Sequence, residues 1–98
     1  MHSFSKKVFA LVRKIPKGKV STYKDLLEKV NLHPRTIGKI LKTNLDPIKT
    51  PCHRVVKSNG SLGGYFGNQT RAKAKILQKE GIEIERGKID LDRYLYKF

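Results

Sequence analysis

The chain contains one cysteine, Cys52, and a histidine follows it directly. A cysteine reacts as its thiolate, which forms near neutral pH only beside a base, a positive charge or a helix N-terminus. Within the run Pro51-Cys52-His53-Arg54-Val55, the histidine is a candidate base and the arginine a candidate charge. The pattern therefore indicates a nucleophilic cysteine. The alternative is that Cys52 is only a small apolar side chain buried in the core.

The composition is strongly basic, with 22 Lys and Arg against 8 Asp and Glu and a net charge of +14 over 98 residues. Such a charge favours a polyanionic partner. Nucleic acid ranks above a membrane because the chain has no Trp and no basic amphipathic stretch with aromatic anchors. One cysteine excludes an internal disulfide, and the absence of a C-x-x-C pair argues against structural zinc. We expect an intracellular, cytoplasmic protein at the nucleoid, without signal peptide or membrane span.

Apolar residues at helical spacing predict three helices before the cysteine. The first ends at Pro16. The second begins with a capping box formed by Thr22 and Asp25, and the third starts at Pro34. The last two are what a helix-turn-helix needs, although a helical hairpin with a solvated charged face is the alternative. Gly38 costs the third helix about 1 kcal/mol relative to Ala, which suggests that a partner approaches the backbone there.

Beyond this point, residues 45–51 predict a rigid, proline-rich loop that delivers Cys52. Turns at Asn59-Gly60 and Arg86-Gly87 predict two small hairpins, the first between residues 55–57 and 61–62 and the second between 82–84 and 89–91. Residues 70–80 predict a helix that Gly81 ends. Its inward side chains would be Ala72, Ala74, Ile76 and Leu77, and its outward ones Arg71, Lys73, Lys75 and Lys79. The expected fold class is mainly α with small β hairpins, a winged helix-turn-helix-like single domain.

Taken in order, these motifs resemble the O6-alkylguanine-DNA alkyltransferases, or methylated-DNA-protein-cysteine methyltransferases. The likeness runs from Phe4 to Gly81. Its segments are Gly18-Lys19-Val20-Ser21-Thr22-Tyr23, Arg35-Thr36-Ile37-Gly38, Asn44, Pro51-Cys52-His53-Arg54-Val55-Val56, Gly63-Gly64-Tyr65 and Glu80-Gly81. The resemblance implies one catalytic and DNA-binding domain over residues 1–98, without the N-terminal domain of larger members. It implies neither a metal nor an organic cofactor.

By the same resemblance, Cys52 takes an alkyl group irreversibly from O6-alkylguanine, with O4-alkylthymine as a second lesion. The lesion lies in a nucleotide flipped out of double-stranded DNA, and each monomer acts once. His53 resembles the histidine that deprotonates the cysteine through a water, and Glu80 resembles its carboxylate partner. Asn44 resembles the asparagine that braces the turn before the active-site loop.

Further positions are expected to bind substrate and DNA. Tyr23 resembles the tyrosine that pushes the target phosphate, and Arg35 resembles the arginine finger that fills the vacated stack. Phe66 stands where the family often has a small polar residue, which is expected to limit bulky alkyl groups. The implied substrate contacts are Tyr23, Tyr65, Val55 and Phe66. The implied DNA contacts are Tyr23, Arg35, Thr36, Gly38, Lys39, Lys42 and Arg54.

Two rival functions use the same features differently. Alkyltransferase-like proteins keep the base-flipping apparatus, lack the cysteine and mark lesions for other machinery, so Cys52 argues against that interpretation. A winged-helix transcription regulator would keep the basic third helix. It would have no need for the Pro-Cys-His-Arg-Val run or for Glu80.

Overall fold

The computed structural model describes residues 2–31, 33–44, 46, 48–63 and 70–98 of the chain. In this part of the chain, the helices are α1 (His2–Lys14), α2 (Tyr23–Val30), α3 (Pro34–Lys42), α4 (Thr70–Lys79) and α5 (Leu91–Tyr94), with a 3₁₀ turn at Cys52–Arg54. The strands β1 (Ser21–Thr22) and β2 (Val55–Val56) form a parallel pair. The expectation of a mainly helical fold with little β structure is confirmed.

The first three helices pack around one apolar cluster. Its buried members from these helices are Val8 and Val12 from α1, Leu26 and Val30 from α2, and Ile37, Ile40 and Leu41 from α3, and Ile15 joins them directly after the end of α1. These are the side chains that the helical spacing assigns to the interior. Cys52 and Val55 belong to the same cluster. The core that holds α3 therefore also fixes the position of the cysteine.

Capping side chains define where α2 and α3 begin. The hydroxyl of Thr22 accepts a hydrogen bond from the backbone N–H of Asp25 at 3.1 Å, so the predicted cap is present. Helix α3 starts at Pro34, also as predicted. Its N-cap is His33, whose Nδ1 accepts a hydrogen bond from the backbone N–H of Arg35 at 3.2 Å. Both helices thus begin at fixed points, which orients the exposed face of α3.

The strand pairing differs from the predicted hairpins. Strand β2 pairs in parallel with β1, and Val55 lies opposite Ser21. Val55 and Val56 are both fully buried, as expected for parallel strands that are covered on both faces. The turn at Asn59-Gly60 does form, but Ser61 bridges to the distant Lys88 instead of extending a strand beside β2. The β structure that carries the site is therefore built from long-range contacts.

Residues 80–98 close the fold around a second apolar cluster, whose buried members are Val20, Val56, Leu62, Leu77, Ile82, Ile89 and Tyr94. Arg86 and Gly87 have φ values of 51° and 75°, as a two-residue hairpin turn requires. The predicted turn is thus present, although its flanks pair through a single bridge between Glu85 and Lys88. The prediction of a strand over 89–91 was wrong at Leu91, which begins α5. Among the described residues, no helix combines the length and apolar composition needed to cross a membrane.

Candidate active site

The cysteine lies at the start of the 3₁₀ turn, just after the proline-rich loop. Its backbone N–H donates to the carbonyl oxygen of Thr50 at 2.8 Å. The side-chain amide of Asn44, at the end of α3, donates to the same carbonyl at 2.7 Å. Asn44 is buried, so this hydrogen bond is shielded from water. The loop is therefore attached to the end of α3 directly before the cysteine, in keeping with the bracing position expected for Asn44.

A second brace comes from α1. The Nε of Arg13 donates to the hydroxyl of Thr50 at 2.9 Å, and Thr50 is only 1% exposed. Within the loop, the backbone N–H of Thr50 donates to the carbonyl of Asp46. Sequence analysis did not identify Arg13, because nothing local connects a basic residue of the first helix with a loop 37 residues away. The loop that presents Cys52 is thus held from two helices.

His53 and Glu80 lie together although 27 residues separate them. The Nε2 of His53 is 3.1 Å from Oε1 of Glu80, and the two side chains are 7% and 11% exposed. Burial lowers the pKa of His53 below its ordinary value, and the opposing effect of Glu80 does not reverse this. The imidazole is therefore neutral at pH 7, and the contact is a hydrogen bond in which Nε2–H donates to the carboxylate. That tautomer leaves Nδ1 as the basic nitrogen.

Arg54 keeps Glu80 ionised. Its Nε donates to Oε1 at 2.9 Å and its Nη2 to Oε2 at 2.5 Å, a bidentate pair, while Nη1 donates to the carbonyl of Ile15 at 2.8 Å. Burial raises the pKa of Glu80, but the hydrogen bonds from Arg54 and then His53 outweigh it and hold the pKa below its ordinary value. The guanidinium of Arg54, expected to contact DNA, is thus turned to the interior. Arg54 orients the carboxylate that orients His53.

Tyr23 of α2 packs against the apolar cluster that contains Cys52, and Lys73 of α4 lies beside the tyrosine. Burial, and to a smaller extent the charge of Cys52, raise the pKa of Tyr23, so its phenol stays protonated. The ammonium nitrogen of Lys73 lies 5.9 Å from the centre of the Tyr23 ring. Lys73 is fully buried, and its Nζ donates to the carbonyls of Val55 at 2.6 Å and Leu62 at 2.5 Å.

The prediction that Lys73 faces outward was therefore wrong. It shares its helix face with buried Leu77, four residues on, and with Glu80 beyond the end of α4. The spacing 73, 77, 80 is the signal that could have identified it. Charge alone assigned this lysine to the surface, whereas the carbonyls of β2 and of Leu62 accept its hydrogen bonds inside.

The outer face of α3 carries the remaining predicted DNA contacts. Arg35, Lys39 and Lys42 are exposed, and Thr36 and Gly38 are partly exposed. A Cβ built at Gly38 would meet nothing within 4 Å. No contact with the part of the chain that the structure describes therefore requires glycine at this position. The face is basic, open and free of side-chain bulk at its middle.

A cavity of about 450 Å³ adjoins Tyr23, and its other lining residues are Lys24, Leu27, Lys57, Ser58 and Asn59. Gly63 borders Tyr23 and Lys57 with φ +73°, and a Cβ there would lie 3.3 Å from the tyrosine ring. The predicted contacts Tyr65 and Phe66 lie outside the described residues. Within the described part of the chain, no three His, Cys, Asp or Glu side chains gather as a metal site would need.

Fold and site together define a small helix-turn-helix protein in which a buried cysteine, a buried neutral histidine and a largely buried, ionised carboxylate form one site. The family model of the 6-O-methylguanine DNA methyltransferase DNA-binding domain matches residues 3–82, and the chain belongs to this family. The methylated-DNA–protein-cysteine methyltransferase of Sulfolobus acidocaldarius is 40% identical over 85 residues, which are 87% of this chain and 54% of that protein. The chain spans about half the length of the curated relatives it matches.

Two crystal structures show the same fold. S. pombe Atl1, in complex with damaged DNA containing O6-carboxymethylguanine, matches with a TM-score of 0.89 and 30% identity over 100% of this chain and 98% of that one. The O6-methylguanine-DNA methyltransferase of the hyperthermophilic archaeon Pyrococcus kodakaraensis matches with a TM-score of 0.72 and 39% identity over 81% of this chain and 46% of that one. The first of these likenesses extends through residues 83–98, beyond the family model.

Proposed function

We propose that this protein repairs DNA by transferring a methyl or other alkyl group from O6-alkylguanine in duplex DNA to Cys52. The observation that carries the proposal is the series of buried Cys52, buried His53 and largely buried Glu80 within a chain of this family. A neutral imidazole can accept the thiol proton, and the ionised carboxylate behind it stabilises the imidazolium that results. Relatives that are named methyltransferases support transfer over simple binding.

The reaction is a displacement at carbon. The thiol proton passes to Nδ1 of His53, through the water that the resemblance implies, and the sulfur attacks the alkyl carbon. The S–C bond forms while the C–O6 bond breaks, and the electron pair leaves with the guanine. The base then takes up a proton, for which Tyr65 is the donor that the resemblance implies. The thioether is stable, so each molecule acts once.

The lesion must leave the base stack before the sulfur can reach it, at a cost of a few kcal/mol. A net charge of +14 and the exposed Arg35, Lys39 and Lys42 on α3 favour phosphate contacts that offset this cost. We assign α3 to the DNA groove, Arg35 to the gap that the nucleotide leaves, and Tyr23 to the target phosphate. Residues 1–98 would act as one catalytic and DNA-binding unit, on DNA inside the cell.

The decisive experiment incubates the protein with duplex DNA that contains one O6-methylguanine. We expect the peptide that carries Cys52 to gain one methyl group, in a yield that saturates at one per molecule when DNA is in excess. Cys52→Ser should abolish the gain while lesion binding persists, and a duplex with O4-methylthymine tests the second lesion. An unmodified cysteine after complete binding of the lesion would refute alkyl transfer.

A lesion-binding protein without transfer is the second candidate. The likeness to S. pombe Atl1 favours it, because that match covers both chains almost completely, whereas the match to the methyltransferase structure covers 46% of that chain. The same experiment separates the two functions, since a binding protein would retain the O6-methylguanine duplex and leave the mass of Cys52 unchanged.

A further inference from the structure

Helix α4 carries a second basic surface besides that of α3. Arg71, Lys75 and Lys79 are spaced four residues apart, and all three are exposed. Because residues four apart lie above one another on a helix, the three side chains form one stripe about 12 Å long. We call this stripe the α4 face. The buried Lys73 and Leu77 lie on the other side of the helix.

The protein does not neutralise the cations of the α4 face. In the described part of the chain, ion pairs are made by Glu80, with His53 and Arg54, and by Glu83, with Arg93. The first turn of α4 contains no acidic residue, although the helix dipole would favour one there. Like charges four residues apart also destabilise a helix. The charges of α4 therefore work against the stability of the helix itself, which is typical of a surface that binds a partner.

The acidic residues of the chain are concentrated elsewhere. Four of the eight lie between residues 83 and 92, and two others, Asp25 and Glu28, alternate with lysines on α2. Helix α4 has none. An exposed helix that only needs to stay in solution ordinarily mixes both signs of charge. The α4 face is thus a local concentration of positive charge and does not simply reflect the average composition.

Positive charge continues past the end of α4. A Cβ built at Gly18 would lie 3.5 Å from the carbonyl oxygen of Glu80, so the loop before β1 touches the end of this helix. This contact brings exposed Lys17 beside the α4 face. The basic surface is therefore formed by two segments that are more than 50 residues apart in the sequence.

The α4 face and the basic face of α3 belong to different parts of the fold. Helix α3 packs on α1 and α2 in the first apolar cluster. Helix α4 packs on the 3₁₀ turn, and its Leu77 belongs to the second cluster. Each apolar cluster therefore has its own basic helix on the outside.

We propose that the α4 face binds the phosphate backbone of a second DNA duplex while α3 holds the first. A row of unpaired cations suits a duplex backbone, whose phosphates form a regular line of negative charge. The inference rests on the proposed assignment of α3 to DNA, but alkyl transfer is not needed for it. A molecule that holds two duplexes can pass from one DNA segment to the next without first dissociating into solution.

The test measures how fast an unlabelled duplex displaces a fluorescent duplex of the same sequence, without a lesion, from the complete protein. If both duplexes are bound at once during exchange, the displacement rate rises in proportion to the concentration of the unlabelled duplex. If the first duplex must leave before the second binds, the rate does not depend on that concentration. We expect a proportional rise in the wild type. In the triple variant Arg71→Gln, Lys75→Gln, Lys79→Gln, the slope of this rise should fall about tenfold or more, because three phosphate contacts are lost.

A second triple variant controls for net charge. Lys29→Gln, Lys88→Gln, Lys97→Gln also removes three positive charges from exposed positions, all of them outside the α4 face. It should keep most of the wild-type slope. Urea denaturation checks that both triple variants are folded.

Three results would overturn the proposal. The first is a displacement rate in the wild type that does not depend on the unlabelled duplex. The second is an equal loss of slope in the two triple variants, since net charge would then explain the effect. The third concerns a second copy of the chain, whose acidic residues 83–92 could occupy the α4 face instead. A dimer that sediments without DNA and is lost in the Arg71→Gln, Lys75→Gln, Lys79→Gln variant, together with a flat displacement rate, would assign the surface to that contact.

Failure of the proposed function gives a different outcome. If displacement accelerates as expected but an O6-methylguanine duplex leaves no methyl group on Cys52, alkyl transfer is refuted and the second DNA site stands. If methyl transfer occurs and the displacement rate ignores the unlabelled duplex, only the assignment of the α4 face is refuted.

Discussion

Replacing Gly38 with Ala should stabilise the protein and weaken its binding to DNA. Glycine inside a helix is about 1 kcal/mol less favourable than alanine. Gly38 is the fifth of the nine residues of α3, and a Cβ there would meet none of the described residues within 4 Å, so no steric loss against them opposes the gain. We expect the free energy of unfolding to rise by about 0.5–1 kcal/mol and Tm by about 4 °C.

The effect on DNA binding should have the opposite sign if α3 lies in a groove. An added methyl group would then separate the helix backbone from the DNA, and the affinity should fall at least several-fold at constant salt. Urea denaturation and fluorescence anisotropy with a lesion duplex measure the two quantities. Gln78→Ala, exposed on α4, controls for helix stabilisation away from the proposed interface. A Gly38→Ala protein that is more stable and binds DNA equally well would refute the assignment of α3 to the groove.

Four further outcomes are expected. Arg54→Met should raise the pKa of Glu80, slow methyl transfer more than tenfold and destabilise the fold by about 3 kcal/mol, because it leaves a largely buried carboxylate without its arginine. Single-turnover kinetics measure the rate and urea denaturation measures the stability. An unchanged rate would contradict the role of Arg54 in orienting Glu80 behind His53. Arg35→Ala should slow repair of duplex DNA much more than alkylation of Cys52 by free O6-benzylguanine, since only the duplex reaction leaves a gap to fill; equal losses would reject the finger. The pKa of Lys73 is about 8 in the folded protein, against an ordinary value of 10.5, so the unfolded chain binds more protons between these two pH values. The free energy of unfolding should therefore rise with pH over this range, by about 3 kcal/mol more in the wild type than in Lys73→Met. Parallel curves of unfolding free energy against pH for the two proteins would show that the lysine is not buried as a cation. DNA affinity should fall steeply with salt and vary little among undamaged sequences, whereas a flat salt response in a binding titration would argue against phosphate contacts.

Much of the helical frame follows from residues that act locally. The apolar spacing of α1, the cap at Thr22 and the proline that opens α3 were all identified correctly, because each depends on contacts within about four residues. The same holds for the turn at Arg86-Gly87, which needs two positive φ values and little else. Where the interaction that fixes an element spans no more than one helical turn, the pattern of residue types is sufficient to predict that element.

The parallel pairing of β1 and β2 could not be predicted this way. Val55 and Val56 together with the turn at Asn59-Gly60 favour a local hairpin, and the turn does form. Strand β2 pairs instead with β1, a segment that is distant in the sequence. The residues that pair with it, Ser21 and Thr22, lie 34 positions earlier in the chain, so no local pattern connects the two strands.

For the site, the motifs identify the nucleophile and the resemblance suggests its partners, but the directions of the side chains come from the tertiary structure. Cys52, His53 and Glu80 were all singled out as candidates. Arg54 and Lys73, assigned to DNA and to the surface, both turn inward. The charge of Lys73 was taken as a sign of exposure, whereas Arg54 was assigned to DNA although its charge was also considered beside the cysteine.

By itself, the sequence determined the helices, their caps, the basic character of the surface and the presence of a cysteine beside a histidine. Only the tertiary structure decided which charged groups leave water. That choice depends on whether a carboxylate or a free carbonyl lies within hydrogen-bonding distance once distant segments have packed, because an unpaired buried charge costs more than the fold can supply. Glu80 provides that partner for Arg54, and the carbonyls of Val55 and Leu62 provide it for Lys73.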